Sequence, residues 1–355
     1  MGNNGRIRAV YMQQFAKDDL LPLLASHPML DIAAVRSAAE LRDVLPGAEL
    51  LIANNRFYDE EVGRVVMALG KDLRWIQFWT AGIERGIRFG MPRGIPVCAA
   101  PGVKGPTVAE HAMLLLLASF RRFREIEQAR ARREWIRDQM HETSRTLEGA
   151  TLVIVGFGAI GQEIARKAKA FDMRVITVTR AGRPGPTVDQ AVTREQLHDV
   201  LPEADAVVLC LPVEPDTIGM FGDAEFASMK PDALVVNVGR GELVDEAALI
   251  RALAAKRVGG AALDVTTVEP LPADSPLWTF DNVLISPHSG GCGQDGSERF
   301  NTIFAENLRR YRAGEALIGV VDWERIADGV ASRTHFGKPP DAATTFVHFS
   351  ISRWM

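Results

Sequence analysis

The sequence predicts an α/β protein of two doubly wound parallel-sheet domains, one inserted into the other. Short apolar runs alternate with segments of helical periodicity along most of the 355 residues. That rhythm builds parallel sheets covered by helices on both faces. It occurs twice, with a change of texture near Pro101-Gly102, and 355 residues suit two domains. After the second block, a helical stretch over 298–313 leads to the apolar run 318–321, which is placed to rejoin the first sheet.

In the first block, residues 7–11, 32–35, 50–53, 73–78 and 97–99 read as strands, with helices over 38–45 and 59–69 between them. Past Pro101, Thr107 stands three residues before Glu110, a capping-box spacing that predicts a helix start at Thr107. Its continuation, 121–138, holds seven Arg and four acids. The interspersed signs predict a solvated or subunit-facing helix rather than a nucleic-acid arm. The second block reads as strands over 152–155, 175–178, 206–210, 234–237, 261–265 and 283–286, with helices notably over 160–171 and 246–255. The expected domains are therefore 1–102 with 291–325, and 103–290. Residues 326–355 lack a long periodic element and read as a mobile tail, or alternatively as an arm docking on a partner through 346–354.

Composition removes several classes. Apolar residues are 47% and charged residues 24% of the chain, which is ordinary for a protein with a real core. A net charge of −4 argues against nucleic acid or an anionic membrane as the main partner. The longest wholly apolar stretch, 112–118, is far short of the ~20 residues that span a bilayer. No secretory signal pattern opens the sequence, and Arg6 stands where a myristoylation signal prefers Ser or Thr. Cys98, Cys210 and Cys292 are too few and too scattered for a disulfide framework or a zinc site. A cytoplasmic protein without a metal is expected.

The segment Gly156-Phe157-Gly158-Ala159-Ile160-Gly161 fits GxGxxG between a strand and a helix, the context a dinucleotide site requires. The first glycine permits the tight turn and the second lets backbone approach a pyrophosphate. Gly161 allows close packing of helix on strand, and the helix start at Ala159-Ile160 supplies N–H donors. An NAD site usually has Asp or Glu after the second strand. Here the chain reads Thr179-Arg180-Ala181-Gly182-Arg183, with no carboxylate. Arg180 and Arg183 are suited to a 2′-phosphate, unless both are simply solvated, so NADP is expected in preference to NAD.

Three ionisable residues follow successive strands of the second block: Arg240, Glu269 and His288. Parallel strands put them on the rim that also carries the glycine loop. They suit hydride exchange at a carbon next to a carboxylate. Arg240 grips the carboxylate and polarises the keto oxygen. His288 gives or takes the proton. Glu269, paired with His288, favours the imidazolium and keeps a proton donor available.

These segments resemble the D-isomer-specific 2-hydroxyacid dehydrogenases over roughly residues 5–325, nearest the glyoxylate/hydroxypyruvate reductase branch. The resemblance rests on Val108-Ala109-Glu110-His111, the glycine loop, Asn237-Val238-Gly239-Arg240-Gly241, Leu263-Asp264-Val265, Glu269-Pro270, Ser275-Pro276-Leu277-Trp278 and Pro287-His288. It implies a Rossmann cofactor domain inserted into a discontinuous flavodoxin-like substrate domain, and the same roles for Arg240, Glu269 and His288. It further implies that backbone N–H groups of Thr80, Ala81, Gly82 and Ile83 bind the substrate carboxylate. Leu211, Pro212, Val238, Gly239, Asp264 and Gly290 would line the nicotinamide side. Homodimers with the active site in the interdomain cleft are implied as well.

The sequence departs from the family pattern at Thr179, at Asp172 (where a left-handed helix cap is expected) and at Thr266-Thr267, where an aromatic is common. Nothing after residue 325 has a counterpart. Asn55, Arg56, Trp79 and a partner's Trp135 are candidate pocket residues, and Arg56 either meets a second acidic group or is solvated. The expected activity is NADP(H)-dependent reduction of a small 2-ketoacid such as glyoxylate or hydroxypyruvate. An NAD-linked dehydrogenase of another substrate and a nucleotide-sensing module without turnover are the alternatives.

Overall fold

The computed structural model describes residues 5–13, 20–182, 184–293 and 296–323. The 326–355 tail and Arg183 lie outside the described residues. By its packing the described chain divides into two units: residues up to Ala100 with Asn301–Trp323, and Pro101–Phe300.

The first unit carries β1 (Ile7–Met12), α1 (Leu20–Ala25), β2 (Leu30–Val35), α2 (Ala38–Val44), β3 (Leu50–Ala53), α3 (Glu60–Leu69), β4 (Trp75–Phe78), α4 (Glu84–Phe89) and β5 (Val97–Cys98). The five strands are parallel in the order β2-β1-β3-β4-β5. Every residue of β3 and β4 is buried, as expected of inner strands sandwiched between helices. Side chains of Ser37 and Asp59 accept from the Glu40 and Val62 N–H groups and fix where α2 and α3 begin.

The second unit carries α5 (Gly105–Phe120), α6 (Phe123–Arg132), α7 (Arg137–Thr143), β6 (Thr151–Val155), α8 (Ala159–Lys169), β7 (Arg174–Thr179), β8 (Gln190–Thr193), α9 (Leu197–Val200), β9 (Ala206–Leu209), α10 (Asp223–Ser228), β10 (Leu234–Asn237), α11 (Glu246–Ala254), β11 (Gly260–Leu263) and β12 (Val283–Ile285). A last helix, α12 (Gly296–Ala313), carries the chain back. Its seven parallel strands run β12-β11-β10-β9-β6-β7-β8. The crossover after β8 returns the chain to the far side of β6, and this reversal of strand order is where open α/β sheets bind ligands.

Three expectations need correction. The sheet has a seventh strand, β8, at the edge, where only Ala191 and Val192 supply an apolar signal and Val192 alone is buried. Thr107 does not cap α5. The helix starts two residues earlier with Pro106 in its first turn, and the Thr107 hydroxyl instead accepts from Arg299 Nη2 at 3.0 Å. Residues 121–138 are not one helix: Arg122 and Arg133 adopt left-handed conformations (φ 53° and 59°) that bound α6. Residues 318–321 rejoin the first sheet as expected: Val320 forms an antiparallel bridge with Cys98 of β5, Ala99 N–H donates to the Gly319 carbonyl at 2.9 Å, and Val321 N–H donates to the Val97 carbonyl at 2.8 Å. Asp172 does adopt the expected left-handed conformation, with φ 56°.

Candidate active site

The glycine loop joins β6 to α8. Gly156 has φ +102°, and a Cβ there would lie 3.0 Å from Leu211. At Gly161 a Cβ would meet the Gly156 carbonyl oxygen at 2.2 Å, so only glycine lets α8 sit this close to β6. Gly158, the residue before α8, is different: nothing lies within 4 Å of where its Cβ would be. A closely packed floor under an open helix N-terminus fits a pyrophosphate, and Ala159 and Ile160 form the first turn beside it. Cys210 packs beneath, its Sγ 3.0 Å from the Gly156 carbonyl oxygen, and burial pushes its thiol up to about 12.

At the end of β7, Thr179 Oγ1 accepts from Gly182 N–H at 3.0 Å. Arg180 is 43% exposed but is not simply solvated. Its guanidinium pairs with Glu214, a carboxylate that the loop after β9 brings to this corner and that is only 4% exposed. The sequence places no acid at the end of β7, yet the fold delivers one there. Arg194, after β8, pairs with Asp216 at 2.6 Å and approaches Glu214 at 3.7 Å.

Beyond β11 and β12 lies a dense polar knot around Asp264. Its side chain is 3% exposed and accepts from Ser286 Oγ at 2.6 Å, Ser289 N–H at 2.8 Å and Gly290 N–H at 2.9 Å. His111 Nε2, on α5, lies 2.7 Å from Ser286 Oγ and 3.2 Å from Asp264 Oδ1. Burial alone would raise the Asp264 carboxyl, but the donors from His111, Ser286, Gly290 and Ser289 outweigh it and hold it at about 2. Gly290 must be glycine, since a Cβ would strike Asp264 Oδ2 at 2.6 Å.

The Asp264 backbone carbonyl accepts from His288 N–H at 2.8 Å and steadies this residue in a left-handed conformation with φ 52°. That conformation is uncommon for a side chain other than Gly, Asn, Asp or His. So held, the His288 ring meets Glu269, with Nδ1 2.8 Å from Oε2. Thr266 N–H reaches the other Glu269 oxygen at 3.3 Å. Both side chains keep access to solvent, at 50% and 39% exposure. Arg240 follows β10 on a braced turn. Asn237 Nδ2 donates to the Arg240 carbonyl at 2.8 Å, and Gly239 N–H donates to Asn237 Oδ1 at 3.0 Å. Val238 N–H donates to the Leu209 carbonyl, and Gly239 packs against the Leu211 carbonyl oxygen, next to Pro212. Gly241 packs against the Thr266 backbone so closely that a Cβ would lie 2.1 Å from it. The Arg240 backbone is thus tied on one side to the wall above the glycine loop and on the other to the Glu269 segment.

In the first unit, the loop after β4 is braced internally. Thr80 Oγ1 donates to the Gly82 carbonyl at 2.8 Å, and Ala100 N–H donates to the Thr80 carbonyl at 2.9 Å. Asn55 ties it to α4, with Nδ2 donating to Glu84 at 2.9 Å and Oδ1 accepting from Arg85 N–H. Ala81 is exposed, Trp79 partly buried, and Arg56 lies over the Phe57 ring. Trp135 is 91% exposed.

Sequence reading missed His111, Ser286, Asn237 and Glu214 as parts of the site. Ser286 and Asn237 adjoin recognised segments, and His111 closes the Val-Ala-Glu-His run, so a local signal existed for these three. Glu214 had none, because its partner lies two strands away.

Among the described residues no helix is long and apolar enough to cross a membrane, and no cluster of ligating side chains would hold a metal ion.

The family described as D-isomer specific 2-hydroxyacid dehydrogenase, NAD binding domain, matches residues 113–290. A glyoxylate reductase of Korarchaeum cryptofilum is 34% identical over 257 residues, covering 72% of this chain and 77% of the relative. A D-3-phosphoglycerate dehydrogenase of Methanocaldococcus jannaschii is 30% identical over 317 residues, or 87% of this chain, which spans only 58% of that relative. Among solved structures, an NADPH-dependent glyoxylate/hydroxypyruvate reductase of Sinorhizobium meliloti, in complex with NADP and sulfate, superposes with a TM-score of 0.75. It has 26% identity, over 89% of this chain and 98% of the other. The chain belongs to the D-isomer specific 2-hydroxyacid dehydrogenase family, oxidoreductases that use a nicotinamide dinucleotide and act on CH–OH groups.

Proposed function

We propose that this protein reduces a small 2-ketoacid of the glyoxylate or hydroxypyruvate class, with NADP(H) preferred and NAD(H) usable. The observation that carries the reading is the His288–Glu269 contact, 2.8 Å long and half open to solvent, mounted on the buried Asp264 knot. The nicotinamide, when bound, supplies the hydride for reduction and takes it back in oxidation. Arg240 holds the substrate carboxylate and draws electron density toward the keto oxygen. His288 uses Nδ1 to meet Glu269, so Nε2 is the atom assigned to protonate that oxygen as the carbonyl π pair moves onto it. The product is the 2-hydroxyacid. Glu269, 2.8 Å from Nδ1, fixes the orientation of the ring. Asp264, Gly290, Val238, Gly239, Leu211 and Pro212 shape the nicotinamide side, while Gly156, Gly158, Ala159, Ile160 and Gly161 receive the pyrophosphate. A substrate-binding role is also proposed for the backbone N–H groups of Thr80, Ala81 and Gly82.

The names of the Korarchaeum and Sinorhizobium proteins support this substrate class, and the latter's NADP complex supports the cofactor preference. A homodimer is part of the proposal, favoured by the exposed apolar side chains of Leu114, Phe123, Ile126 and Trp135 along α5 to α7. Unbridged Cys98, Cys210 and Cys292 favour the cytoplasm. The test is a panel of 2-ketoacids assayed with NADPH and with NADH. Turnover of glyoxylate or hydroxypyruvate with a higher kcat/KM for NADPH is expected. A clear NADH preference would refute the cofactor assignment. No turnover with either nucleotide would leave a nucleotide-sensing role in its place.

A further inference from the structure

Four charged side chains at the carboxyl ends of β7, β8 and β9 form a closed ring. Arg180 pairs with Glu214, Glu214 approaches Arg194 at 3.7 Å, Arg194 binds Asp216 at 2.6 Å, and Asp216 approaches Arg180 at 3.7 Å. Two guanidinium groups face two carboxylates, so the ring is formally neutral. It occupies the corner past the second strand of the dinucleotide unit, where the adenosine ribose is recognised in this architecture. Glu214 is fixed within it: its own N–H donates to Thr217 Oγ1 at 2.7 Å, and Thr217 N–H returns to the Glu214 carbonyl at 2.9 Å. Arg180 is 43% exposed, Glu214 4% and Asp216 59%, so the buried acid anchors the ring and Arg180 presents its outer side to solvent.

We infer that Glu214 is a specificity-determining residue for the adenosine end of the cofactor, competing with a 2′-phosphate for Arg180. The inference rests on the dinucleotide reading of this unit and concerns how strongly NADP(H) is preferred. A 2′-phosphate brings about −1.5 to −2 charge at pH 7. Next to Arg180 it meets a guanidinium already half neutralised, with a fixed carboxylate behind it. A 2′-hydroxyl meets no such repulsion. Glu214 therefore limits the gain from Arg180 and keeps NAD(H) usable. The acid absent from the end of β7 is replaced in charge, though not in sequence position, by one from the neighbouring loop.

The test measures binding without turnover. ADP-ribose and 2′-phospho-ADP-ribose are titrated calorimetrically into the full-length protein and into Glu214→Gln, with thermal unfolding as a control for folding. Glu214→Gln is expected to raise the affinity ratio of the phosphorylated over the plain nucleotide by about tenfold, the scale of one partly screened charge interaction at this range. Asp216→Asn, on the exposed side of the ring, is expected to shift the ratio in the same direction by about two- to threefold. An unchanged ratio in both variants would overturn the inference. So would a fall in the ratio for Glu214→Gln, which would make Glu214 a support for phosphate binding. If Glu214→Gln does not fold, the Asp216→Asn ratio decides alone. The wild-type ratio judges the NADP(H) preference separately, because a wild type favouring the plain nucleotide refutes that preference and leaves the expected shift intact.

Discussion

Asp264 and Glu269 are two carboxylates carried by the same segment after β11, and their surroundings are opposite. Asp264 is sealed at 3% exposure and accepts from two side chains and two backbone N–H groups. Glu269 is 39% exposed and meets one ring nitrogen and one distant backbone N–H. The first has no capacity left for chemistry and is suited to framework, since its carbonyl also sets the backbone of His288. The second is placed to respond when its partner gains or loses a proton. A short stretch of chain thus separates holding from working.

That contrast can be broken from either side. His288→Ala should have the largest effect, lowering kcat for 2-ketoacid reduction by about 10²–10⁴-fold with the thermal midpoint unchanged. Steady-state kinetics on a folded variant reads it, and retained turnover would remove the assigned role. Arg240→Ala should come next, lowering kcat/KM by about 10²-fold chiefly through KM, because a charge-assisted grip on the carboxylate is lost. A loss confined to kcat would point to polarisation without binding. Asp264→Asn should act in the other currency. Urea unfolding should show a loss of about 2–3 kcal/mol, since donors built for a charged acceptor keep a weaker one.

The smallest effect is in pH. Asp264 is held at about 2 against an ordinary 3.8. Its folded value lies below its unfolded one, so the stability it contributes is complete above about pH 4 and is lost as pH falls toward 2. Unfolding curves across that window should be flatter for Asp264→Asn than for the wild type. An identical acid limb would mean that the knot does not depend on the charge.

Much of this arrangement was legible in the sequence because it is local. Inner strands such as β6 and β10 are unbroken apolar runs, and the glycine loop announces itself by spacing. Arg240, Glu269 and His288 each follow a recognisable strand, so a parallel sheet puts them on one rim. What stayed hidden depended on distance or on weak local signals. The edge strand β8 buries only Val192 and shows no period. Thr107 carried a capping spacing, but Pro106 let the helix begin earlier, and Arg122 broke a stretch whose composition looks uniformly helical. Glu214 reads as an ordinary loop acid until the fold sets it against Arg180, which lies across the sheet from it.

The central claim is that His288 and Glu269 act as one unit, and a double-mutant cycle tests it most directly. Turnover of glyoxylate or the best 2-ketoacid is compared for His288→Ala, Glu269→Gln and the double variant. If Glu269 works through His288, the double variant falls no further than His288→Ala alone. Losses that multiply would show two groups acting separately and contradict the account.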